Sequence, residues 1–118
     1  MDYKKPTSQM LGRFQPWHDG HTALFKEINK ETGQTIIMVR SMPQSDNDPY
    51  SYLDISQKIQ IELQKEGFTF KVDYDIIQIP NIVNIGYGRD VGYTIKQYDL
   101  GEEIHQISAT KIRDANKH

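Results

Sequence analysis

The chain has 118 residues, a length that fits one domain with a thin core and leaves no room for a second independent one. Fourteen Lys and Arg against sixteen Asp and Glu give a net charge of −2, so no global basic field for nucleic acid is expected and any anion site must be local. The absence of cysteine excludes disulfides, thiolate nucleophiles and Cys-ligated zinc.

Residues 1–7 read as a polar lead-in. No apolar run follows Lys4 and Lys5, so no signal peptide is expected, and no stretch approaches the ~20 apolar residues of a membrane helix. A cytoplasmic protein without membrane or nucleic-acid partners is the expectation. Gln9-Met10-Leu11-Gly12-Arg13-Phe14 is a first short strand running into a loop. From His21 to Thr32, apolar residues at 24, 25 and 28 keep a helical spacing, and Gly33 stands at a natural C-cap. Thr35 to Val39 is a continuous apolar run, the pattern of a strand buried on both faces.

The segment SMPQSDNDPY, residues 41–50, carries loop chemistry. Tyr52, Ile55, Ile59 and Leu63 then repeat as one face of a helix closed by Gly67. Phe68 to Ile79 predicts a third strand ending at Pro80, and Ile82–Ile85 and Tyr93–Tyr98 read as short strand pieces among Gly86, Gly88 and Gly92. A last short helix is expected around Ile107 to Arg113. Fifteen Ile against three Ala suit buried strands. The alternation predicts an α/β fold: a compact Rossmann-like open parallel sheet with helices on both faces. Right-handed crossovers would put the loop after the first strand at a sheet crevice.

That loop is Gly12-Arg13-Phe14-Gln15-Pro16-Trp17-His18-Asp19-Gly20-His21. His18 and His21 flank a glycine that lets backbone approach closely. His21 falls at the start of the helix, where unpaired N–H groups and the dipole favour an anion. With Arg13 these groups describe a polyphosphate cradle. Helix capping by the two histidines is the plainer alternative. Metal ligation is another, although no third ligand cluster is evident in the sequence.

The string G-R-F-Q-P-W-H-D-G-H resembles the HxGH signature of the nucleotidyltransferase superfamily, and more narrowly the archaeal-type nicotinamide mononucleotide adenylyltransferases. Ile107-Ser108-Ala109-Thr110-Lys111-Ile112-Arg113 resembles the second signature of that superfamily, I-S-x-T-x-x-R. Read from its residues alone, this heptapeptide is a capped helix start with Arg113 able to reach back over it, or an ordinary terminal helix.

The resemblance implies roles. His18, His21 and Arg113 would stabilise charge on the triphosphate. Gly12, Arg13, Phe14, Gln15 and Gly20 would shape the first half of the nucleotide site, and Ser108, Ala109 and Thr110 the second. A substrate phosphate or hydroxyl would attack the nucleotide α-phosphate in line and release pyrophosphate, with Mg²⁺ carried by the triphosphate. ATP and a small phosphorylated acceptor are the implied substrates. A cytidylyltransferase using CTP and a non-catalytic nucleotide-binding module are the alternatives.

Further residues are candidates for substrate contact. Asp48-Pro49-Tyr50 resembles the N-P-F of the archaeal enzymes, whose following helix carries an arginine; here that arginine is absent and Lys58 is the nearest substitute. Arg40 ends the second strand and so should reach the same sheet edge. Arg89 lies in a glycine-rich turn, whose lone GxG is a weak dinucleotide signal. Trp17 either packs beneath the loop or stacks on a base, with packing favoured. The stretch between the third strand and Ile107 is short for the superfamily, and so thin a core predicts a homo-oligomer.

Overall fold

Three parallel strands in the order β1-β2-β3 form the sheet, and two helices connect them. The computed structural model describes residues 1–89 and 92–98. Strand β1 spans Ser8–Gly12, helix α1 Asp19–Thr32, β2 Thr35–Arg40, α2 Tyr52–Lys65 and β3 Tyr74–Ile79. Met10 lies beside Ile37, which lies beside Ile76, so three apolar side chains form one row across the sheet. Gly12 pairs with Val39, and Val39 with Gln78. The residues that follow all three strands therefore emerge along one edge.

Both helices are amphipathic and pack on that row. Phe25 and Ile28 of α1 join Ile55, Ile59 and Leu63 of α2, with Met10, Ile37, Val39, Tyr74 and Ile76 beneath them, in one buried cluster. Each fully buried aliphatic or aromatic side chain contributes about 1.5–3 kcal/mol. Right-handed crossovers in strand order 1-2-3 carry both helices to the same face. Burial along β2 accordingly alternates: Thr35, Ile37 and Val39 are buried, and Ile36, Met38 and Arg40 only half-buried. The continuous apolar run is thus covered fully on one face among the described residues, where a strand buried on both faces was predicted.

The helix ends are set by local chemistry. Gly33 adopts φ 83°, and its N–H reaches the Asn29 carbonyl, closing α1 as its position predicted. Ser51 caps α2, its hydroxyl accepting from the Asp54 N–H while the Asp54 carboxylate accepts from the Ser51 N–H. No helix among the described residues is long and apolar enough to cross a membrane.

Two predicted strand regions differ. Strand β3 begins at Tyr74, six residues after Phe68. Residues 69–73 form a turn in which the Val72 and Asp73 N–H groups donate to the Thr69 carbonyl, the Asp73 carboxylate accepts from the Thr69 N–H at 2.7 Å, and Lys71 takes φ 72°. Phe68 and Phe70 still reach the core, Phe68 edge-on to Phe25 and Phe70 against Tyr74. Their alternation therefore records core contact and not strand geometry. The pieces Ile82–Ile85 and Tyr93–Tyr98 form no strand, and Val83, Ile85, Tyr93 and Ile95 are exposed. Lys96 ties this stretch to Glu31 at the end of α1, and Tyr98 packs against the core.

Candidate functional site

The loop from β1 into α1 is built on aromatic packing. A Cβ on Gly12 would stand 2.6 Å from the Phe14 ring, so only glycine lets the ring fold back over the strand end. Phe14 itself has φ 53° and is buried. Its ring lies 5.0 Å from Trp17 and 5.0 Å, edge-on, from His21. Trp17 is 1% exposed, and its indole N–H donates to the Thr22 hydroxyl at 2.8 Å. Burial thus supports the packing role of Trp17, as one of two rings that floor the His21 side chain.

His18 is the N-cap of α1, and its Nδ1 accepts from the Gly20 N–H at 3.0 Å. His21 occupies the third helical position, and its Nδ1 accepts from the His18 N–H at 3.1 Å. The pair is a capping box made from two imidazoles, stacked with centroids 3.9 Å apart. The Gly20 and His21 N–H groups are consumed inside this cap, since the His21 N–H donates to the His18 carbonyl. These two N–H groups are therefore not free for an anion, contrary to the expectation from the position of His21 at the helix start. Because each Nδ1 is an acceptor, the neutral tautomer of both rings carries its proton on Nε2. Burial, reinforced by the His18 charge, lowers His21 to about 3, and burial lowers His18 as well, against the opposing pull of Asp19. The arrangement offers two neutral Nε2–H donors at neutral pH.

The loop before α2 is clamped to this cradle. The Gln15 amide donates to the Tyr50 carbonyl at 3.1 Å, and its oxygen accepts from the Tyr50 N–H at 2.9 Å. Arg13, whose side chain is 38% exposed, pairs with buried Asp48 at 3.3 Å. The D-P-Y segment therefore meets G-R-F-Q-P through two separate contacts, both 35 residues apart in sequence. Neither Asp48 as the partner of Arg13 nor Thr22 as the partner of Trp17 had been identified from sequence, because no local spacing signals either pair.

The other candidates divide. A cavity of about 780 Å³ lies between Pro16–Asp19, Tyr50 and the outer face of α2; His18 and Lys58 line it. Lys58 also pairs with Glu62 at 3.3 Å. Arg40 borders a second, smaller cavity together with Gln15. Gly20 is buried in the first turn of α1. Arg89 is exposed and joins neither cavity. Ser108, Ala109, Thr110 and Arg113 lie outside the described residues. Among the described residues no three His, Asp or Glu side chains converge as a metal cage.

Residues 10–63 match the cytidylyltransferase-like family. A nicotinamide-nucleotide adenylyltransferase from Methanococcus aeolicus is 32% identical over 65 residues, covering 53% of this chain and 38% of that protein. The fold matches a bifunctional NMN adenylyltransferase/ADP-ribose pyrophosphatase from Francisella tularensis, crystallised with AMP and a Mn ion, at a TM-score of 0.58 and 26% identity. That match covers 64% of this chain and 23% of the other. A second crystal structure of the same Francisella protein matches equally well. The chain thus spans well under two thirds of the relatives it matches.

Proposed function

We propose that the chain is a nucleotidyltransferase resembling the NMN adenylyltransferases and that it transfers AMP from ATP to a small phosphorylated acceptor. The observation that carries the proposal is the reciprocal histidine cap. Two stacked rings with both Nδ1 atoms engaged leave two neutral Nε2–H groups at the sheet edge. Neutral donors suit this reaction. They bind phosphate oxygens, and they hold still as charge builds on the bridging oxygen toward pyrophosphate.

The acceptor oxygen forms a bond to the α-phosphorus, the bond to the bridging oxygen breaks, and pyrophosphate leaves with the electron pair. The protein supplies position and charge stabilisation and needs no covalent intermediate. A divalent ion carried by the triphosphate, Mg²⁺ in this reading, would offset its charge. Arg13 stands beside the cradle and would add a charged donor once the nucleotide competes with Asp48. Ser108, Thr110 and Arg113 would close the triphosphate site from the second motif.

Adenylyl transfer is favoured over cytidylyl transfer because the named relatives are adenylyltransferases. The test is pyrophosphate release with Mg²⁺, each nucleoside triphosphate and a panel of phosphorylated acceptors. Release with ATP and at least one acceptor is expected. Faster release with CTP selects the cytidylyl reading, and nucleotide binding without release by any pair selects a binding module.

A further inference from the structure

The smaller cavity, of about 90 Å³, has a different chemistry from the histidine cradle beside it. Arg40, Ser41, Gln44, Ser51 and Gln78 line it, so its wall is polar and its one ionic group is a cation. Arg40 follows Val39, which sits level with Gly12, so the guanidinium starts from the same sheet edge as the histidine loop. The two cavities share Tyr50 and Ile55 as a common wall.

Arg40 is incompletely satisfied. One terminal nitrogen donates to the Asn81 side chain at 2.8 Å. Its Nε is buried and has no hydrogen-bond partner. Among the described residues no carboxylate pairs with it, whereas Arg13 pairs with Asp48. A buried N–H is ordinarily paired, and an arginine fork matches the oxygens of a tetrahedral anion. The start of α2, which lines the same cavity through Ser51, adds its positive dipole end.

We infer that Arg40, with Ser41, Gln78 and the start of α2, forms a subsite for the tetrahedral oxyanion of the acceptor, separate from the triphosphate cradle. This rests on the transferase reading and assigns its second substrate an anchor. Size decides what enters. Pockets that enclose a whole small molecule run to roughly 300–1,000 Å³, so about 90 Å³ accommodates one phosphate-like group and not a nucleoside. The group is either a free oxyanion or the phosphate end of a larger acceptor whose remainder extends into the neighbouring cavity past Tyr50.

The test is calorimetric titration of the chain saturated with α,β-methylene-ATP, with inorganic phosphate in one arm and ribose 5-phosphate in the other. Binding is expected in at least one arm. Arg40→Gln and Gln78→Glu should each weaken it tenfold or more, and Arg40→Lys should recover part of the loss. Circular dichroism checks that each variant folds. Binding of both probes means a free oxyanion suffices; binding of ribose 5-phosphate alone identifies the phosphate of a larger acceptor. The subsite is overturned if neither probe binds the folded wild-type chain, if Arg40→Gln and Gln78→Glu bind as the wild type does, or if the ATP analogue displaces the probe. Failure of the analogue itself to bind would instead contradict the transferase reading, and the same titrations without it still read the subsite.

Discussion

His18 and His21 cap the same helix through each other: each Nδ1 accepts a backbone N–H, from Gly20 and from His18 respectively, and the two rings stack at 3.9 Å. Protonating either Nδ1 removes an acceptor from the cap, and protonating either ring places a charge beside its neighbour. This relationship fixes the pH dependence. Both pKa values lie below the ordinary 6.5 in the folded chain, that of His21 at about 3. Between those limits the unfolded chain binds more protons than the folded one, so stability rises with pH. The contribution is complete above pH ~6.5 and is lost as pH falls toward ~3, by at most about 1.4 kcal/mol per pH unit for His21. Urea midpoints measured from pH 7.5 to 5.0 should therefore fall, with a shallower slope in His21→Asn. Equal slopes would remove the buried neutral histidine from the account.

The clamp between Gln15 and the Tyr50 backbone should be worth more than an exposed contact, because both partners are at least half-buried. Gln15→Leu leaves a buried N–H and carbonyl without their partner. A loss of about 1–3 kcal/mol in urea unfolding is expected, together with weaker ATP binding because the two loops are no longer held in register. A loss under about 0.5 kcal/mol, the level of an ordinary surface change, would show that the clamp is incidental.

Trp17 is the single tryptophan, so its fluorescence reports on the floor of the site directly. Thr22→Val keeps the side-chain shape and deletes the acceptor of the indole N–H. About 1–3 kcal/mol of stability should be lost, with a shifted emission maximum, and Thr22→Ser should restore most of both. An unchanged Thr22→Val variant would mean that the ring is held by packing alone.

Asp48 competes with the nucleotide for Arg13. Asp48→Asn keeps the shape of the loop, removes a negative charge from beside the phosphate cradle and frees the guanidinium. ATP affinity, read by calorimetry at low salt, should tighten by roughly tenfold, about 1.4 kcal/mol of relieved charge interaction. Weaker ATP binding by a folded Asp48→Asn chain would show that Asp48 positions Arg13 for the nucleotide and does not hold it back.

Much of the fold follows from short-range pattern. The apolar spacing of α1 and α2, the glycine after α1 and the run of β2 each state a local preference that packing reinforces. The start of β3 was not legible, because Phe68 and Phe70 serve the core from a turn that Asp73 and Thr69 close. The site divides in the same way. The spacing of His18 and His21 and the glycine between them were visible. Their reciprocal cap was not, because N-cap preference points to Ser, Thr, Asp or Asn and not to histidine. The contacts of Arg13 with Asp48 and of Gln15 with Tyr50 join residues 35 positions apart, and only the tertiary approach of two loops at the sheet edge creates them.

The central claim is that the Nε2–H of His21 holds phosphate charge during adenylyl transfer. It is tested most directly by pyrophosphate release from ATP and Mg²⁺, using the acceptor that the wild-type chain turns over fastest, in wild type and His21→Ala, with thermal unfolding followed in parallel. The account predicts a folded variant whose turnover is lower by roughly 10²–10³-fold, the cost of removing one preorganised donor. A folded His21→Ala chain that releases pyrophosphate at the wild-type rate would contradict it.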